Sequence, residues 1–254
     1  MYKRQAEIAI NLIKEAINFS PDSTSFLCNL GDIFRALVRF EESIQVYQQA
    51  IAVEPESAEI CNIMGMAFKD NVQTKEAIEA YQKAIQIDPN YVEAYNNLGN
   101  LFKSDGRFEE ALQAFQRALE LNPSIAEVHN NLGTVLKVTG KIEEAIGVYK
   151  TAIEISPDYP HAYSNLGLAY AELGSFEEAQ HAFQRALELN PSVAEIHNRY
   201  GNILYRFNKL EEAIQAYRCA IRINPKHSQT YSDMGVSFAR LGTVSYTHLR
   251  APRD

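Results

Sequence analysis

The sequence predicts an all-α protein, an α-solenoid of antiparallel helix pairs, and three observations carry that reading. Seven prolines recur 34 residues apart, from Pro21 through Pro55, Pro89, Pro123, Pro157 and Pro191 to Pro225. Seven glycines keep the same period, from Gly31 through Gly65, Gly99, Gly133, Gly167 and Gly201 to Gly235. Within each period the apolar residues follow helical spacing. An unbroken period of this length means stacked supersecondary units, each unable to bury its apolar face alone.

Residues 1–23 read as a lone second helix of a pair. Six full repeats follow, at 24–57, 58–91, 92–125, 126–159, 160–193 and 194–227, and residues 228–242 read as a lone first helix. In the 92–125 repeat, Tyr95, Leu98, Gly99 and Phe102 lie at i, i+3, i+4 and i+7, which defines helix A. After Gly106, Ala111, Phe115 and Ala118 define its antiparallel partner, helix B, which ends before Pro123. Small residues are needed where the two backbones approach: the helix A glycine, a first helix B slot (Ser43, Ala77, Ala111, Ala145, Ala179, Ala213) and a second (Ala50, Ala84, Ala118, Ala152, Ala186, Ala220). Between the slots stands an aromatic plug, Tyr47, Tyr81, Phe115, Tyr149, Phe183 or Tyr217. Each proline lacks an N–H and restricts its predecessor, so it closes a unit. Gly106, Gly140, Gly174 and Gly242 are expected as left-handed caps of helix A. Val38 and Val72 stand in that slot elsewhere, so those two turns are expected to be built differently.

Glycine, alanine, aromatic, alanine and proline at fixed offsets over 34 residues resemble the tetratricopeptide repeat, over residues 1–242. The position often held by tryptophan in that family carries Leu27, Cys61, Tyr95, His129, Tyr163, His197 and Tyr231. The resemblance implies a right-handed superhelix and an interaction scaffold that holds an extended peptide on its concave helix A surface. The phrase Asn96-Asn97-Leu98-Gly99-Asn100 also resembles the superhelical arm of O-linked N-acetylglucosamine transferases, and equally many bacterial repeat proteins. The substrate-binding arm of such a glycosyltransferase is therefore the alternative expectation.

Other functions are disfavoured by composition. Acidic residues outnumber basic ones 32 to 24, which argues against nucleic acid or an anionic membrane as partner. The three cysteines, Cys28, Cys61 and Cys219, are unclustered and match a reducing compartment, so a cytoplasmic location is expected. The N-terminal stretch is broken by Glu7, Asn11, Lys14 and Glu15 and reads as an amphipathic helix, not a signal peptide. With no phosphate loop, nucleophile elbow or metal cluster in the sequence, no enzyme activity, cofactor or metal is expected. Acidic pairs such as Glu109/Glu110 and Glu143/Glu144 open helix B, where they offset its macrodipole.

The candidate site is the polar stripe of helix A. At the sixth position of the repeat it carries Asn29, Asn97, Asn131 and Asn165, with Asn100 and Asn202 three positions further along their helices. A side-chain amide both donates and accepts, so such a row can hold peptide backbone without reading its sequence. The competing reading is a solvated helix face. At the twelfth position a basic row, Arg35, Lys69, Lys103 and Lys137, either draws an acidic segment or is solvated surface. The lysine and asparagine clamp by which related repeat proteins hold acidic chaperone tails is absent, because the fifth position is Cys28, Asn62, Asn96, Asn130, Ser164, Asn198 or Ser232. Tyr231, Met234 and Phe238 lack a covering helix B, so either self-association through this end or its fraying is expected. Residues 243–254 leave the template. Residues 243–250 resemble a translated transposon-type sequencing adapter, and the segment is expected to be a non-repeat assembly artefact.

Overall fold

The computed structural model describes the backbone of residues 2–250 and the side chains of residues 5–242. Among these described residues it has fourteen helices and no strand: α1 (Tyr2–Phe19), α2 (Thr24–Ala36), α3 (Phe40–Val53), α4 (Ala58–Asp70), α5 (Thr74–Ile87), α6 (Val92–Ser104), α7 (Phe108–Leu121), α8 (Ala126–Val138), α9 (Ile142–Ile155), α10 (Pro160–Glu172), α11 (Phe176–Leu189), α12 (Ala194–Arg206), α13 (Leu210–Ile223) and α14 (Ser228–Arg250). They form two compact units, the first ending at Pro123 and the second starting at Ser124.

Each full repeat pairs a 13-residue first helix with a 14-residue second one, as α6 and α7 show. The glycine of the first helix is the point of closest approach. A Cβ added to Gly99 would stand 2.7 Å from the Phe115 ring, and one on Gly133 would stand 2.6 Å from Tyr149. The plug rings are buried to 0–1% exposure in all six repeats, each stabilising its pair by roughly 1.5–3 kcal/mol. Where the plug is tyrosine its hydroxyl needs a partner: Tyr47 donates to Asp32 at 2.6 Å and Tyr217 to Asn202 at 2.8 Å. The Tyr81 hydroxyl is buried without one.

The residue before four of the repeat prolines, Asp88, Asn122, Ser156 and Asn190, is extended, as the ring favours: Asp88 has φ −126° and ψ 99°, and Asn122 has φ −143° and ψ 98°. That extended residue ends the second helix and starts the turn into the next repeat.

The turn between paired helices corrects the sequence reading. Val38 and Val72 adopt φ 61° and 60°, the left-handed conformation of Gly106, Gly140 and Gly174, and Asn208 joins them at 62°. The hydrogen bonds are also the same: Arg39 N–H donates to Phe34 O at 2.8 Å, and Arg107 N–H to Phe102 O at 2.9 Å. Packing of the two helices fixes the turn, and the valines accept a strained backbone. Both side chains are exposed, so strain is the main effect of either residue. Val38→Gly and Val72→Gly are each expected to stabilise the protein by about 1 kcal/mol, read by urea unfolding.

In the first unit, Ile10 of α1 packs with Leu27, Leu30 and Phe34 of α2, while Ile44 and Tyr47 of α3 pack with Ala67 of α4. Further along, Cys61 packs with Ala84 and Ala94. In the second unit Phe183 stacks on Tyr200 with centroids 5.4 Å apart, and Leu204 packs with Ala213 and Tyr217.

A second correction concerns Gly242. Expected as a helix cap, it lies inside α14, whose backbone continues to Arg250. The turn geometry at the other caps is held by a docked second helix, and among the described residues none follows α14. The expectation for the tail thus falls on a segment that is helical as far as residue 250, and residues 251–254 lie outside the described residues.

Candidate peptide-binding face

The polar stripe of the first helices is a hydrogen-bonded lattice between neighbouring repeats. In the first unit, the Asn97 amide donates to Asn62 Oδ1 at 2.9 Å. In the second, Asn165 donates to Asn130 Oδ1 at 2.8 Å. Asn198 reaches Thr230 Oγ1 at 3.0 Å and Asp233 at 3.4 Å. The rule is that the fifth position of one repeat meets the sixth position of the next. Ser164 is too short to follow it, and its buried hydroxyl has no partner. Arg199, which stands opposite, reaches Asn165 Oδ1 instead, at 3.0 Å, and also pairs with Glu195.

These contacts divide the predicted residues. Asn97 and Asn165 are half-buried, Asn131 is buried at 9% exposure, and Asn29 is exposed. Asn100 donates to Asn96 and accepts from Lys103 Nζ at 2.8 Å, which places Asn100 and Lys103 in one cluster. Asn202 receives the Tyr217 hydroxyl and serves the packing of its own repeat. An amide has two N–H groups and two lone pairs, so Asn165, with one of each used, keeps one of each. Sequence reading missed the fifth-position partners Asn62, Asn130 and Asn198. The signal was present as a second asparagine row beside the first.

The basic row is largely compensated. Arg35 pairs with Asp70 at 3.5 Å, which Lys69 approaches at 3.9 Å, and Lys137 pairs with Glu172 at 3.1 Å. Asp70 and Glu172 occupy the thirteenth position of the repeats that follow those of Arg35 and Lys137. Exposed or partly exposed pairs of this kind contribute at most about 1 kcal/mol, and they lower the charge offered to a partner.

Two cavities open on this stripe. One of about 360 Å³ is lined by Glu195, Asn198, Arg199, Asn224 and His227. Another, of about 330 Å³, is lined by Asn29, Asp32, Glu54, Ser57 and Glu59 among others. Cys28 lies on the second, and burial, followed by the nearby carboxylates of Asp32, Glu59 and Glu54, pushes its thiol up to about 11. At neutral pH that sulfur is protonated and a poor nucleophile. Burial likewise raises the Cys61 thiol. Among the described residues no group of three or more His, Cys, Asp or Glu is placed to hold a metal, and no helix is long and apolar enough to cross a membrane. At the start of the second helices, Glu42 pairs with Arg39 and Glu110 with Arg107, so these acids serve the helix terminus and a local ion pair.

Comparison with known proteins agrees with this architecture. The family model described as the cilia and flagella-associated protein 70 C-terminal domain matches residues 89–250. Models of the TPR repeat and the tetratricopeptide repeat match residues 65–106 and 24–57. Among solved structures, MamA is similar at 31% identity, over 64% of this chain and 95% of that one, with a TM-score of 0.58. YrrB, described as a TPR protein with an unusual peptide-binding site, is similar at 24% identity over 73% of this chain and 96% of that one, TM-score 0.55. The Cut9–Hcn1 hetero-tetramer of APC/C matches at 17% identity over 92% of this chain and 46% of that one, TM-score 0.76. These last two likenesses show the fold alone. A search of curated proteins gave no match.

The chain belongs to the tetratricopeptide-repeat family. Its fold is that of a protein-interaction scaffold, and none of the three matching family models is that of a glycosyltransferase.

Proposed function

We propose that the first-helix face binds extended segments of partner proteins through their main chain. The observation that carries this reading is the paired amide rows, in which Asn97 and Asn165 are held by Asn62 and Asn130 across the repeat boundary. Holding an amide by one hydrogen bond fixes its rotamer, so less entropy is lost when the remaining N–H and lone pair meet a peptide group. A peptide unit offers one acceptor and one donor, and matches an amide irrespective of its side chain. Compensation of Arg35 and Lys137 by Asp70 and Glu172 favours this neutral recognition over capture of an acidic segment.

The test uses peptides selected from a random-sequence library on the parent protein. Replacing Asn97, Asn131 and Asn165 together by alanine is expected to weaken binding at least about tenfold, as hydrogen bonds of about 1 kcal/mol each are lost. The loss should be the same in low and high salt. Removal of Lys69, Lys103 and Lys137 should give a smaller loss that salt abolishes. Thermal unfolding of the triple variant checks the fold, since Asn62 and Asn130 lose donors. A folded triple variant that binds like the parent would leave the rows as a staple between repeats with no role in recognition.

A further inference from the structure

Asn97 and Asn165 turn their amides the same way along the series of first helices. In the second unit, Asn165 of α10 donates from Nδ2 to Asn130 Oδ1 at 2.8 Å and accepts at Oδ1 from Arg199 Nη1 at 3.0 Å. Asn130 lies on α8 and Arg199 on α12, so the Asn165 nitrogen faces the preceding first helix and its oxygen the following one. In the first unit the Asn97 nitrogen on α6 likewise faces the preceding first helix, donating to Asn62 Oδ1 on α4 at 2.9 Å.

Arg199 fixes this polarity in the second unit. Two amides that share one hydrogen bond can turn over together and keep it, with Asn130 then donating to Asn165. A guanidinium has donors and no acceptor, so the turned-over state would set an N–H of Asn165 against an N–H of Arg199. Arg199 is itself held by Glu195, four residues earlier on α12. It stands at the sixth position of its repeat, where Asn97 and Asn165 stand in theirs. An asparagine there could donate or accept, and would leave the direction of the pair open.

We infer, resting on the main-chain recognition proposed above, that a segment held by these amides runs antiparallel to the order of the repeats, and that Arg199 is the positioning residue that sets this direction in the second unit. In an extended chain the N–H and C=O of one residue point to the same side, the N–H coming first. Both meet Asn165 only when the N–H lies toward Oδ1, on the α12 side, and the C=O toward Nδ2, on the α8 side. The N-terminal end of the segment then points toward the later first helices. A segment running the other way presents N–H to N–H and C=O to C=O. It forfeits paired hydrogen bonds at each amide, which disfavours it by at least about tenfold.

Photo-cross-linking tests the direction. Library-selected peptides whose binding Asn165→Ala weakens are prepared in two forms, with a benzophenone at the N-terminal or the C-terminal end, and mass spectrometry locates the residues marked. The N-terminal label should mark higher-numbered first helices than the C-terminal label does, by at least about tenfold over the reverse order. Arg199→Gln, whose amide can donate or accept, should bring the two orders close to parity. Arg199→Lys keeps a donor without an acceptor and should restore the bias, with circular dichroism verifying that both variants are folded. The reverse order or parity in the parent, or a bias unchanged in Arg199→Gln, would overturn the inference and leave main-chain recognition standing. Labels confined to the second helices, or no peptide weakened by Asn165→Ala, would overturn main-chain recognition on this face and the inference with it.

Discussion

Gly133→Ala is expected to destabilise the protein by about 1–3 kcal/mol, while Gly147→Ala stabilises it by about 0.5–1 kcal/mol. Both glycines are helical, so alanine brings the same gain in helix propensity to each. At Gly147 nothing lies within 4 Å of the added carbon and the gain is kept. At Gly133 the new methyl would meet three Tyr149 ring atoms at 2.6–2.9 Å. That ring is at 0% exposure and its hydroxyl is tied to Thr134 at 3.4 Å, so it cannot swing aside. Relief requires α8 and α9 to separate. Because repeats unfold by neighbour-dependent steps, the change is best read by amide exchange, with loss of protection centred on α8 and α9.

Alkaline unfolding is expected to be steep, because the tyrosine plugs titrate together. Burial, the main cause in each case, pushes the Tyr149 and Tyr217 phenols up to about 12, and those of Tyr47 and Tyr81 higher still. Asp32 adds to the shift at Tyr47 through its hydrogen bond and charge. In the unfolded chain a phenol ionises near pH 10. The folded-state values are raised, so the stabilisation is complete below about pH 10 and is lost as pH rises through about 12. The thermal midpoint should be nearly level between about pH 7 and 9 and fall sharply above about pH 10. Tyr149→Phe removes one titrating group and should make that fall shallower. Tyr81→Phe should do the same and also raise stability at neutral pH, since it removes a buried hydroxyl without a partner. Tyr47→Phe should lower stability at neutral pH, because it takes a hydrogen bond from Asp32.

These two effects depend on features the sequence displayed at different depths. Period, helix pairing and the glycine-to-plug contact were legible because spacing and residue size decide them. The turns at Val38 and Val72 were not legible from residue preference. Turn geometry there follows from where two packed helices leave the chain, and the cost of a valine at positive φ is smaller than the packing that imposes it. For the site, the sequence placed Asn97 and Asn165 together on one polar stripe of the first helices, since helical register is enough for that. It did not say that Asn62 and Asn130, on other helices, would take one of their N–H groups. Partners 35 residues apart depend on the stagger of adjacent repeats, which a period alone leaves open. The same stagger brings Glu172 to Lys137 and weakens the basic row.

A crystal structure of the protein with a library-selected peptide tests the central claim most directly. The account predicts an extended peptide on the first-helix face, with its main-chain N–H and C=O groups within about 3.2 Å of the Asn97 or Asn165 amides, and with side chains that vary between selected sequences pointing away. A peptide seated on the second helices or the loops, or one on the first-helix face held through its side chains while those amides contact only Asn62 and Asn130, would contradict it.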